Sequence, residues 1–292
     1  MPVIRTSEER FENLPEFPFE PRYLELGGMR IHYLDEGRGE VILCVHGEPS
    51  WCFLYRKMIP VLGGRHRVVA FDFIGFGRSD KYTEKSEYTY KLHRDTMAGF
   101  IEALDLTGIT LVVQDWGGLI GLRVAGMMAE RFSRLVIMNT GLPTGEQKMT
   151  EGFMRWRNFV EKTEDLPVGM IIQGATVTDL SPEVVAAYEA PFPGPEYKAG
   201  AQAWPLMVPV RPDMEAAPEL RQARQDLQEW TKPALVMFSD KDPVTAGGDK
   251  FFKEHIPGAK GQPHATIKDA GHFLQEDKGP EIANRILEFM AG

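Results

Sequence analysis

Cysteine is scarce in this chain of 292 residues, which contains only Cys44 and Cys52. Small domains that depend on disulfides need more cysteines than this, and two in a chain of this length favour a reducing compartment. Residues 1–22 intersperse acidic and basic side chains without an apolar core, so we expect no signal peptide there. The sequence therefore predicts a cytoplasmic protein.

Long apolar runs and excess positive charge are also missing. No hydrophobic stretch approaches the ~20 residues of a membrane-spanning helix, so no membrane partner is expected. The formal net charge is −9, which argues against a nucleic-acid partner because surfaces that bind nucleic acid are basic. Hydrophobic residues make up 43% of the chain, as in ordinary soluble domains. We expect a soluble globular protein that acts as a monomer.

Short, continuous apolar runs recur at spacings typical of buried strands. Such runs occupy residues 41–45, 68–71, 111–113 and 135–138, and they alternate with segments of helical spacing such as 88–104 and 118–130. Alternation of this kind predicts an α/β fold with a mostly parallel central sheet flanked by helices. Before the first run, residues 23–36 predict a β-hairpin that turns at Gly27 and Gly28.

The strand pattern stops after Asn139. Residues 140–217 contain many prolines and no comparable apolar run, and strand-like sequence resumes only at Ala234. Connections inside a compact domain are usually ~2–6 residues long, so this insertion predicts a separate helical cap. We therefore expect a main domain formed by residues 1–139 and 218–292 and a cap domain formed by residues 140–217.

Residues 110–118 predict a strand that turns sharply into a helix. In many hydrolases such a turn carries the nucleophile within the pattern G-x-S-x-G. Here the serine position holds Asp115, and Trp116 follows it. An aspartate at this point is also a common helix cap, so other residues must decide whether Asp115 is catalytic.

Two later loops supply candidates for a base and an acid. His272 follows the last predicted strand, which fits the chain order nucleophile, acid, histidine. Asp240 and Asp242 both lie in the loop after the preceding predicted strand. Either carboxylate is suited to orient the imidazole of His272, and either also suits a turn. We favour Asp242 as the acid.

The loop at residues 46–51 follows the first predicted strand of the parallel series. A loop amide at this place joins the amide after the nucleophile in an oxyanion hole, which assigns the backbone N–H groups of Glu48 and Trp116 to that hole. His46 is interpreted as structural. The glycine-bearing residues 71–80 lack the G-x-x-x-x-G-K-[ST] order of a phosphate loop, so they are also interpreted as structural.

Taken in this order, the motifs resemble those of the α/β-hydrolase superfamily and, more closely, those of the haloalkane dehalogenases. The resemblance extends from Arg5 to the C-terminal helix. Its most specific carriers are HGEPSW at 46–51, DFIGFGRSD at 72–80, VQDWGG at 113–118 and AGHFLQE at 270–276, with GFMRW at 152–156 and APFP at 190–193. Val113 departs from the glycine usual at the start of the turn, and the dehalogenase pattern tolerates this change.

The resemblance implies hydrolysis of halogenated alkanes to an alcohol, a halide ion and a proton. Asp115 would displace the halide and form an alkyl ester, and His272 would activate the water that hydrolyses it, with Asp242 holding the imidazolium. In this branch two tryptophans bind the halide, and they correspond here to Trp116 and Trp156. The implied partners are a small halogenated alkane, halide and water. No metal or organic cofactor is expected.

Several further aromatic residues have less specific assignments. Phe153, Trp204 and Pro205 are expected to line an apolar substrate pocket, since the family that the chain resembles has an aromatic–proline pair at the latter two positions. On spacing alone a tryptophan is more often a packing residue than a ligand. We interpret Trp51 and Trp230 in that way.

Two related activities stay open at this point. An epoxide hydrolase would share the aspartate nucleophile and the late histidine but needs two cap tyrosines, and neither Tyr188 nor Tyr197 lies in a matching stretch. Gln114 also replaces the histidine that is usual in that class. A haloacid dehalogenase would need a basic clamp for the substrate carboxylate, for which Arg155 and Arg157 are candidates. An inactive binding protein is disfavoured because the three presumptive catalytic positions are intact.

Overall fold

An eight-stranded sheet forms the centre of the computed structural model, which describes residues 2–292. Two short strands, β1 (Val3–Ile4) and β6 (Lys81–Tyr82), pair with each other outside it. The sheet contains β2 (Arg22–Leu26), β3 (Met29–Gly37), β4 (Val41–Val45), β5 (Arg67–Phe71), β7 (Ile109–Gln114), β8 (Phe132–Met138), β9 (Ala234–Ser239) and β10 (Ala265–Ile267). Its strand order is β10-β9-β8-β7-β4-β5-β3-β2.

The sheet is mostly parallel, as the alternation of apolar runs predicts. All neighbours from β10 to β5 pair in parallel, whereas β3 runs antiparallel to both β5 and β2. Every residue of β4 and β7 is buried, which is why these strands lack polar alternation. The β2–β3 hairpin turns through Gly27 (φ 57°) and Gly28 (φ 80°), the positive angles that a two-residue turn between twisted strands requires.

Ten α-helices accompany these strands within the described part of the chain. They are α1 (Ile59–Gly63), α2 (Tyr90–Ala103), α3 (Trp116–Met127), α4 (Glu151–Lys162), α5 (Val168–Gly174), α6 (Pro182–Glu189), α7 (Ala199–Met207), α8 (Ala216–Gln228), α9 (Gly248–His255) and α10 (Leu274–Ala291). Short 3₁₀ turns occupy Glu8–Phe11, Cys52–Tyr55, Lys85–Glu87, Ala129–Arg131, Pro195–Tyr197 and Pro257–Ala259. No helix among residues 2–292 combines the length and apolar character needed to cross a membrane.

The segment between β8 and β9 is helical and contains no strand among the described residues. Its first helix, α4, begins where Thr150 Oγ1 accepts a hydrogen bond from the Phe153 amide at 3.1 Å. Its last helix, α8, packs on α3 through Arg123, which pairs with Glu219 at 2.9 Å and Asp226 at 3.1 Å. The division into a main domain and a cap stays a prediction.

The insertion is hydrogen-bonded to the loop before α10. The His272 amide donates to Ala175 O, just beyond α5, at 2.8 Å. The Asp277 carboxylate accepts from the amides of Val177 at 3.0 Å and Thr178 at 2.7 Å. Because these contacts link two segments about a hundred residues apart in sequence, they fix the inserted helices against the last helix of the chain.

A buried ion pair supports the same junction. Arg56 contacts Glu276 through two hydrogen bonds, Nη1 to Oε2 at 2.5 Å and Nη2 to Oε1 at 2.6 Å, and both side chains are fully buried. The hydroxyl of Tyr188, in α6, donates to Glu276 Oε2 at 2.8 Å. Burial acts to raise the pKa of Glu276, but Arg56 outweighs it and lowers the pKa below its usual value. Glu276 is therefore an ionised link between α6 and α10.

Replacing Glu276 with glutamine tests this link. The change leaves the Arg56 guanidinium buried without its counter-ion, which costs about 3–5 kcal/mol in comparable pairs. We expect that loss in the free energy of unfolding, measured by urea denaturation at pH 7.

The stabilisation by Glu276 also depends on pH. Since the pKa of Glu276 is lowered in the folded protein, its stabilisation is present above the pKa that this residue has in the unfolded chain, and it declines as the pH falls below that value.

Glu281→Gln is the matched control, because Glu281 forms an exposed pair with Arg285 in the same helix. Exposed pairs contribute about 0–1 kcal/mol, so its unfolding midpoint should stay close to that of the parent protein. Equal midpoints for the two variants would show that the buried pair adds no net stability.

Candidate active site

Asp115 stands at a strained turn between β7 and α3. Its backbone angles are φ 51° and ψ −127°, a region that costs a non-glycine residue about 1–3 kcal/mol and persists only where neighbours impose it. Here the Asp115 amide donates to Asn139 O at 3.0 Å, and Asp115 O accepts from Gly118 N at 2.9 Å and Thr140 Oγ1 at 2.6 Å. These bonds hold the carboxylate at the carboxyl end of β7.

Two glycines allow the turn to pack this tightly. A Cβ atom on Gly117 would lie 2.2 Å from Val45 O, and one on Gly47 would lie 2.4 Å from the Cβ atom of Asp115. Contacts that short do not occur between real atoms, so both positions require glycine. The first loop after β4 thus approaches the aspartate closely because it has no side chain at residue 47.

Val113 occupies the position that is glycine in the usual pattern. It lies in β7 and is fully buried. Gly121 lies in α3, and a Cβ atom on it would lie only 2.9 Å from Val113 Cγ1. The side chain of Val113 therefore fits because α3 has a glycine at the position that faces it. The missing side chain that lets the strand and the helix pack closely is on the helix here, and not on the strand.

The structure brings His272 between two carboxylates. Its Nε2 atom lies 3.4 Å from Asp115 Oδ2, and its Nδ1 atom lies 3.0 Å from Asp242 Oδ2. Asp240 has no hydrogen bond to the imidazole and instead faces Lys241 and Lys268 at 3.9 and 3.8 Å. Of the two acids that the sequence leaves open, Asp242 is the one in position to orient His272.

Asp242 is held as an anion by its own loop. Its carboxylate accepts from Val244 N at 2.8 Å and Thr245 N at 3.2 Å, and also from the Thr245 hydroxyl. Burial acts to raise the pKa of Asp242, but the charge of His272 and these donors lower it below its usual value. A short turn thus supplies the donors that keep a buried carboxylate charged.

The two carboxylates also control the charge of His272. Burial acts to lower its pKa, but the charge of Asp242, followed by the hydrogen bond and charge of Asp115, raises the pKa of His272 to about 10. At neutral pH the two carboxylates therefore favour the protonated form of the imidazole. Any change that neutralises Asp115 removes two of the contributions that hold the proton.

Glu48 lies over the Asp115 carboxylate. Its amide donates to Asp115 Oδ1 at 2.8 Å. Its side chain is 3% exposed and Oε1 has no hydrogen-bond partner among residues 2–292. Burial, followed by the charge of Asp115, raises the pKa of Glu48 well above its usual value, which favours the neutral form of its carboxyl group. Trp116 is the first residue of α3, where backbone N–H groups lack partners within the helix.

A cavity of about 880 Å³ opens in front of Asp115. Its lining is mainly apolar and includes residues of the insertion as well as of the loops at the carboxyl ends of the strands. Among the predicted site residues, those that line it are Glu48, Asp115, Trp116, Phe153, Trp156, Pro205 and His272. The volume falls within the range of ~300–1,000 Å³ typical of small-molecule sites.

The tryptophans differ in what their indole N–H groups contact. Trp51 donates to Ala187 O at 3.2 Å, and Trp204 donates to His93 Nε2 at 2.6 Å. Trp116 and Trp156 both line the cavity, and within residues 2–292 neither has a protein acceptor for its N–H group. An indole N–H is a donor only, so these two groups are suited to an anion in the cavity.

The prediction that Trp204 lines the pocket needs correction. Trp204 is fully buried and is not part of the cavity wall, although its neighbour Pro205 is. Its ring packs behind Trp116, with ring centroids 4.8 Å apart. The hydrogen bond to His93 fixes its indole in this place, so Trp204 supports Trp116 from behind.

The residues that the sequence offered for the rival activities do not line the cavity. The hydroxyl of Tyr188 donates its hydrogen bond to Glu276, and neither Tyr197 nor any other described tyrosine forms part of the cavity wall. Arg155 is exposed and lies 3.8 Å from Glu151, while Arg157 donates to Pro205 O at 2.6 Å. The cavity thus lacks both a tyrosine pair and the predicted arginine clamp.

Two positioning residues escaped the sequence reasoning. Gln114 Nε2 lies 3.1 Å from His272 Nε2 and donates to His272 O at 3.2 Å. Asn139 Nδ2 donates to His272 O at 3.0 Å and Gly271 O at 3.1 Å. Gln114 is the last residue of β7 and Asn139 directly follows β8. Their place at the carboxyl ends of strands, like that of Asp115, is the signal that the sequence offers. An amide there is a weaker signal of catalysis than a carboxylate, because it does not ionise.

One group of side chains within the described range has metal-ligand chemistry. His32, Cys52 and Asp72 are all buried, and their ligand atoms lie within 4.8 Å of one another. His32 Nδ1 is already bonded to Asp72 Oδ2 at 2.7 Å, and none of the three lines the cavity. We interpret this group as an internal hydrogen-bonded cluster below the loop at residues 71–80.

The sheet order, the strained turn and the sequence of site residues define a hydrolase of the α/β class. In agreement, the family model of the alpha/beta hydrolase fold matches residues 40–279. A haloalkane dehalogenase of Psychrobacter cryohalolentis is 49% identical over 99% of this chain and 98% of its own length. Another, of Mycolicibacterium paratuberculosis, is 46% identical over 99% and 98%.

A solved structure is similar over the whole length as well. The haloalkane dehalogenase DpaA of Paraglaciecola agarilytica, described as tetrameric, is 39% identical, covers 100% of this chain and 99% of its own, and has a TM-score of 0.91. The chain belongs to the haloalkane dehalogenase family, as the motifs of the sequence indicated.

Asp115→Asn should lower the pKa of His272 from its value of about 10. The amide has no charge, so the variant loses the electrostatic attraction that Asp115 exerts on the imidazolium. The measurement is an NMR titration of protein labelled at the histidine rings. Asp240→Asn is the control, since Asp240 does not contact the ring, and it should leave the titration unchanged. An unchanged pKa in Asp115→Asn would contradict the proposed coupling.

Proposed function

We propose that this enzyme cleaves the carbon–halogen bond of halogenated alkanes through a covalent ester on Asp115. One observation carries the proposal: a carboxylate nucleophile faces an apolar cavity in which two indole N–H groups have no protein acceptor. A carboxylate that attacks a saturated carbon leaves an ester, which water hydrolyses. A serine would leave an ether, which is far harder to cleave. The aspartate therefore suits an alkyl substrate.

In the first step an Asp115 oxygen attacks the halogenated carbon. A carbon–oxygen bond forms as the carbon–halogen bond breaks, and the halide departs with the bonding electron pair. Trp116 and Trp156 donate hydrogen bonds to the halide as its charge develops. Donors that stabilise developing charge in a water-poor site are worth more than the same donors in water.

In the second step water hydrolyses the ester of Asp115. His272 takes a proton from water as the water oxygen attacks the carbonyl carbon of the ester. The bond between that carbon and the alkyl oxygen then breaks. The alkyl oxygen takes up a proton to give the alcohol, Asp115 is regenerated as a carboxylate, and one proton is left for release to solvent. The amides of Glu48 and Trp116 stabilise the oxyanion, and Asp242 stabilises the imidazolium that forms. The products are an alcohol, a halide ion and a proton.

The electrostatics of the site fit this order of steps. While Asp115 is ionised, it helps to keep His272 protonated. Ester formation neutralises Asp115, removes that contribution and lowers the pKa of His272, so the first step prepares the base for the second. Gln114 and Asn139 hold the imidazole loop during this change and act as positioning residues.

The cavity lining favours this chemistry over the two rivals. An epoxide hydrolase needs tyrosine hydroxyl groups at the substrate, and no tyrosine lines the cavity among residues 2–292. The predicted clamp of a haloacid dehalogenase, Arg155 or Arg157, faces elsewhere. The proposed substrate pocket is formed by Phe153, Pro205 and the cap side of the cavity.

The proposal also covers the setting of the enzyme. We propose a cytoplasmic location, which two buried, free cysteines support. The substrate is a small halogenated alkane, and halide and water are the other partners. We retain residues 140–217 as the cap. The monomer expected from the sequence stays a prediction, and the tetrameric relative shows that other members of the family assemble further.

The wild-type protein should release bromide and acid from 1-bromobutane or 1,2-dibromoethane. His272→Ala should stop after the first step, because no base remains to activate water. Mass spectrometry of the variant after exposure to 1-bromobutane should then show one butyl group on a peptide that contains Asp115. The double variant Asp115→Asn with His272→Ala is the control and should carry no adduct.

Two outcomes would overturn this mechanism. Ring opening of styrene oxide without bromide release would favour the epoxide reaction. An unmodified Asp115 in a variant that still binds substrate would exclude the covalent ester. Asp242→Asn and Asp240→Asn distinguish the two acids, since only the former should slow turnover.

Trp156→Phe should weaken halide binding about tenfold or more, because it removes one hydrogen bond to an ion, worth about 1.5–3 kcal/mol. Quenching of tryptophan fluorescence by bromide measures the dissociation constant. Trp230→Phe is the control, since Trp230 lies outside the cavity wall. Equal bromide affinity in all three proteins would remove Trp156 from the halide site.

A further inference from the structure

Arg224 is a cation in the cavity wall that the proposed reaction does not use. It lies in α8 and lines the same cavity as Asp115. We propose that Arg224 forms a carboxylate-binding subsite, so that the enzyme accepts halogenated alkanes whose far end carries a carboxylate. This inference rests on the proposed function and adds a substrate class to it.

The guanidinium of Arg224 is only partly satisfied by the protein. Its Nε atom donates to Leu142 O at 2.7 Å, and its Cζ atom lies 4.6 Å from the ring centroid of Phe251. Within residues 2–292, the two Nη atoms have no hydrogen-bond partner, and no carboxylate lies within the 4.0 Å of an ion pair. Burial lowers the pKa of Arg224, yet an arginine remains charged at neutral pH. Four N–H donors are thus free for a ligand.

Glu146, the acid whose charge acts on Arg224, is already bound by other residues. The charge of Glu146 acts to raise the pKa of Arg224. However, its carboxylate lies 3.6 Å from Arg221 Nε and accepts a hydrogen bond from the Thr144 hydroxyl at 3.1 Å. It therefore does not neutralise the guanidinium directly. Arg224 differs in this respect from Arg94 and from Arg123 of α3, which form close ion pairs with Glu219.

The charge of the cavity wall favours an anionic group away from the nucleophile. Lys148 and Lys241 line the cavity together with Arg224, and both are exposed. The acids in the wall are Asp115, which ester formation neutralises, and Glu48, whose burial favours the neutral form. The protein as a whole has a formal net charge of −9, so the positive charge of these cavity residues is opposite in sign to that of the whole protein.

Arg224 and the Asp115 carboxylate contact different residues. Arg224 contacts Leu142 and Phe251, whereas the Asp115 carboxylate contacts Glu48 and His272. No hydrogen bond joins the two sets. In the proposed substrate, a chain of methylene groups links the carboxylate held by Arg224 to the halogenated carbon, and the apolar wall of the cavity is suited to cover that chain. An α-halo acid, whose two groups are adjacent, does not meet this condition.

The test compares 6-bromohexanoate with the neutral 6-bromohexan-1-ol, using bromide release by the wild-type enzyme and by Arg224→Gln. We expect Arg224→Gln to reduce kcat/KM for the carboxylate about tenfold, which corresponds to ~1.4 kcal/mol, mainly through KM. The value for the alcohol should change little. Added salt should reduce kcat/KM for the carboxylate in the wild type, because the attraction is between charges. Bromoalkanoates of other lengths should show an optimum.

Arg155→Gln is the matched control, because it removes one positive charge from an exposed arginine outside the cavity wall. It should leave the preference between the two substrates unchanged. If Arg224→Gln slows both substrates equally, the residue only supports the Leu142 loop and the inference is wrong. If neither substrate is turned over by the wild type, the proposed function fails instead.

A binding measurement keeps the two failures distinct. Isothermal titration with hexanoate, which has no halogen, should show binding to the wild type and clearly weaker binding to Arg224→Gln, whether or not the protein is active. Hexanoate affinity that is the same in both proteins would contradict the subsite. Bromide affinity that falls as much as hexanoate affinity would also contradict it, since Arg224 would then be a halide site.

Discussion

The contact of one imidazole with two carboxylates is the interaction on which the site depends. Asp115 and Asp242 both favour the protonated form of His272, and the three side chains are close because β7, β9 and β10 end at the same edge of the sheet. Buried charges are costly unless paired and hydrogen-bonded. The strained turn at Asp115 and the donors around Asp242 are therefore parts of one arrangement that holds three charges at a fixed distance.

Much of this arrangement follows from the sequence. Residues buried on both faces of a parallel sheet form continuous apolar runs, so the positions of β4 and β7 are visible in the chain. The residues just after those runs must then meet at one edge of the sheet, which is why Asp115, Asp242 and His272 are found together. Local pattern is enough here because each side chain follows its strand within a few residues.

The insertion was less predictable, and Trp204 shows the reason. Successive residues in a helix differ by about 100° in direction, so of Trp204 and Pro205 only one faces a given surface. The motif identifies this pair of residues, but it does not show how α7 is rotated about its own axis. That rotation is fixed by the hydrogen bond between Trp204 and His93. The roles of Asn139 and Arg224 are equally hard to predict, because they depend on contacts with residues that are distant in sequence. Contacts of that kind need the fold before they can be assigned.

The bonds between the insertion and the loop of His272 restrict how the enzyme exchanges molecules with solvent. Ala175 accepts a hydrogen bond from the His272 amide, and Glu276 anchors α6 four residues further on. Lifting the inserted helices as a lid would pull on the very loop that carries the base. Exchange through a part of the cavity wall that reaches the surface leaves these bonds intact. Phe159, Met170 and Val177 are exposed and also line the cavity, so they identify such a part of the wall. The inserted helices can then stay bonded to the loop of His272 while substrate and products pass.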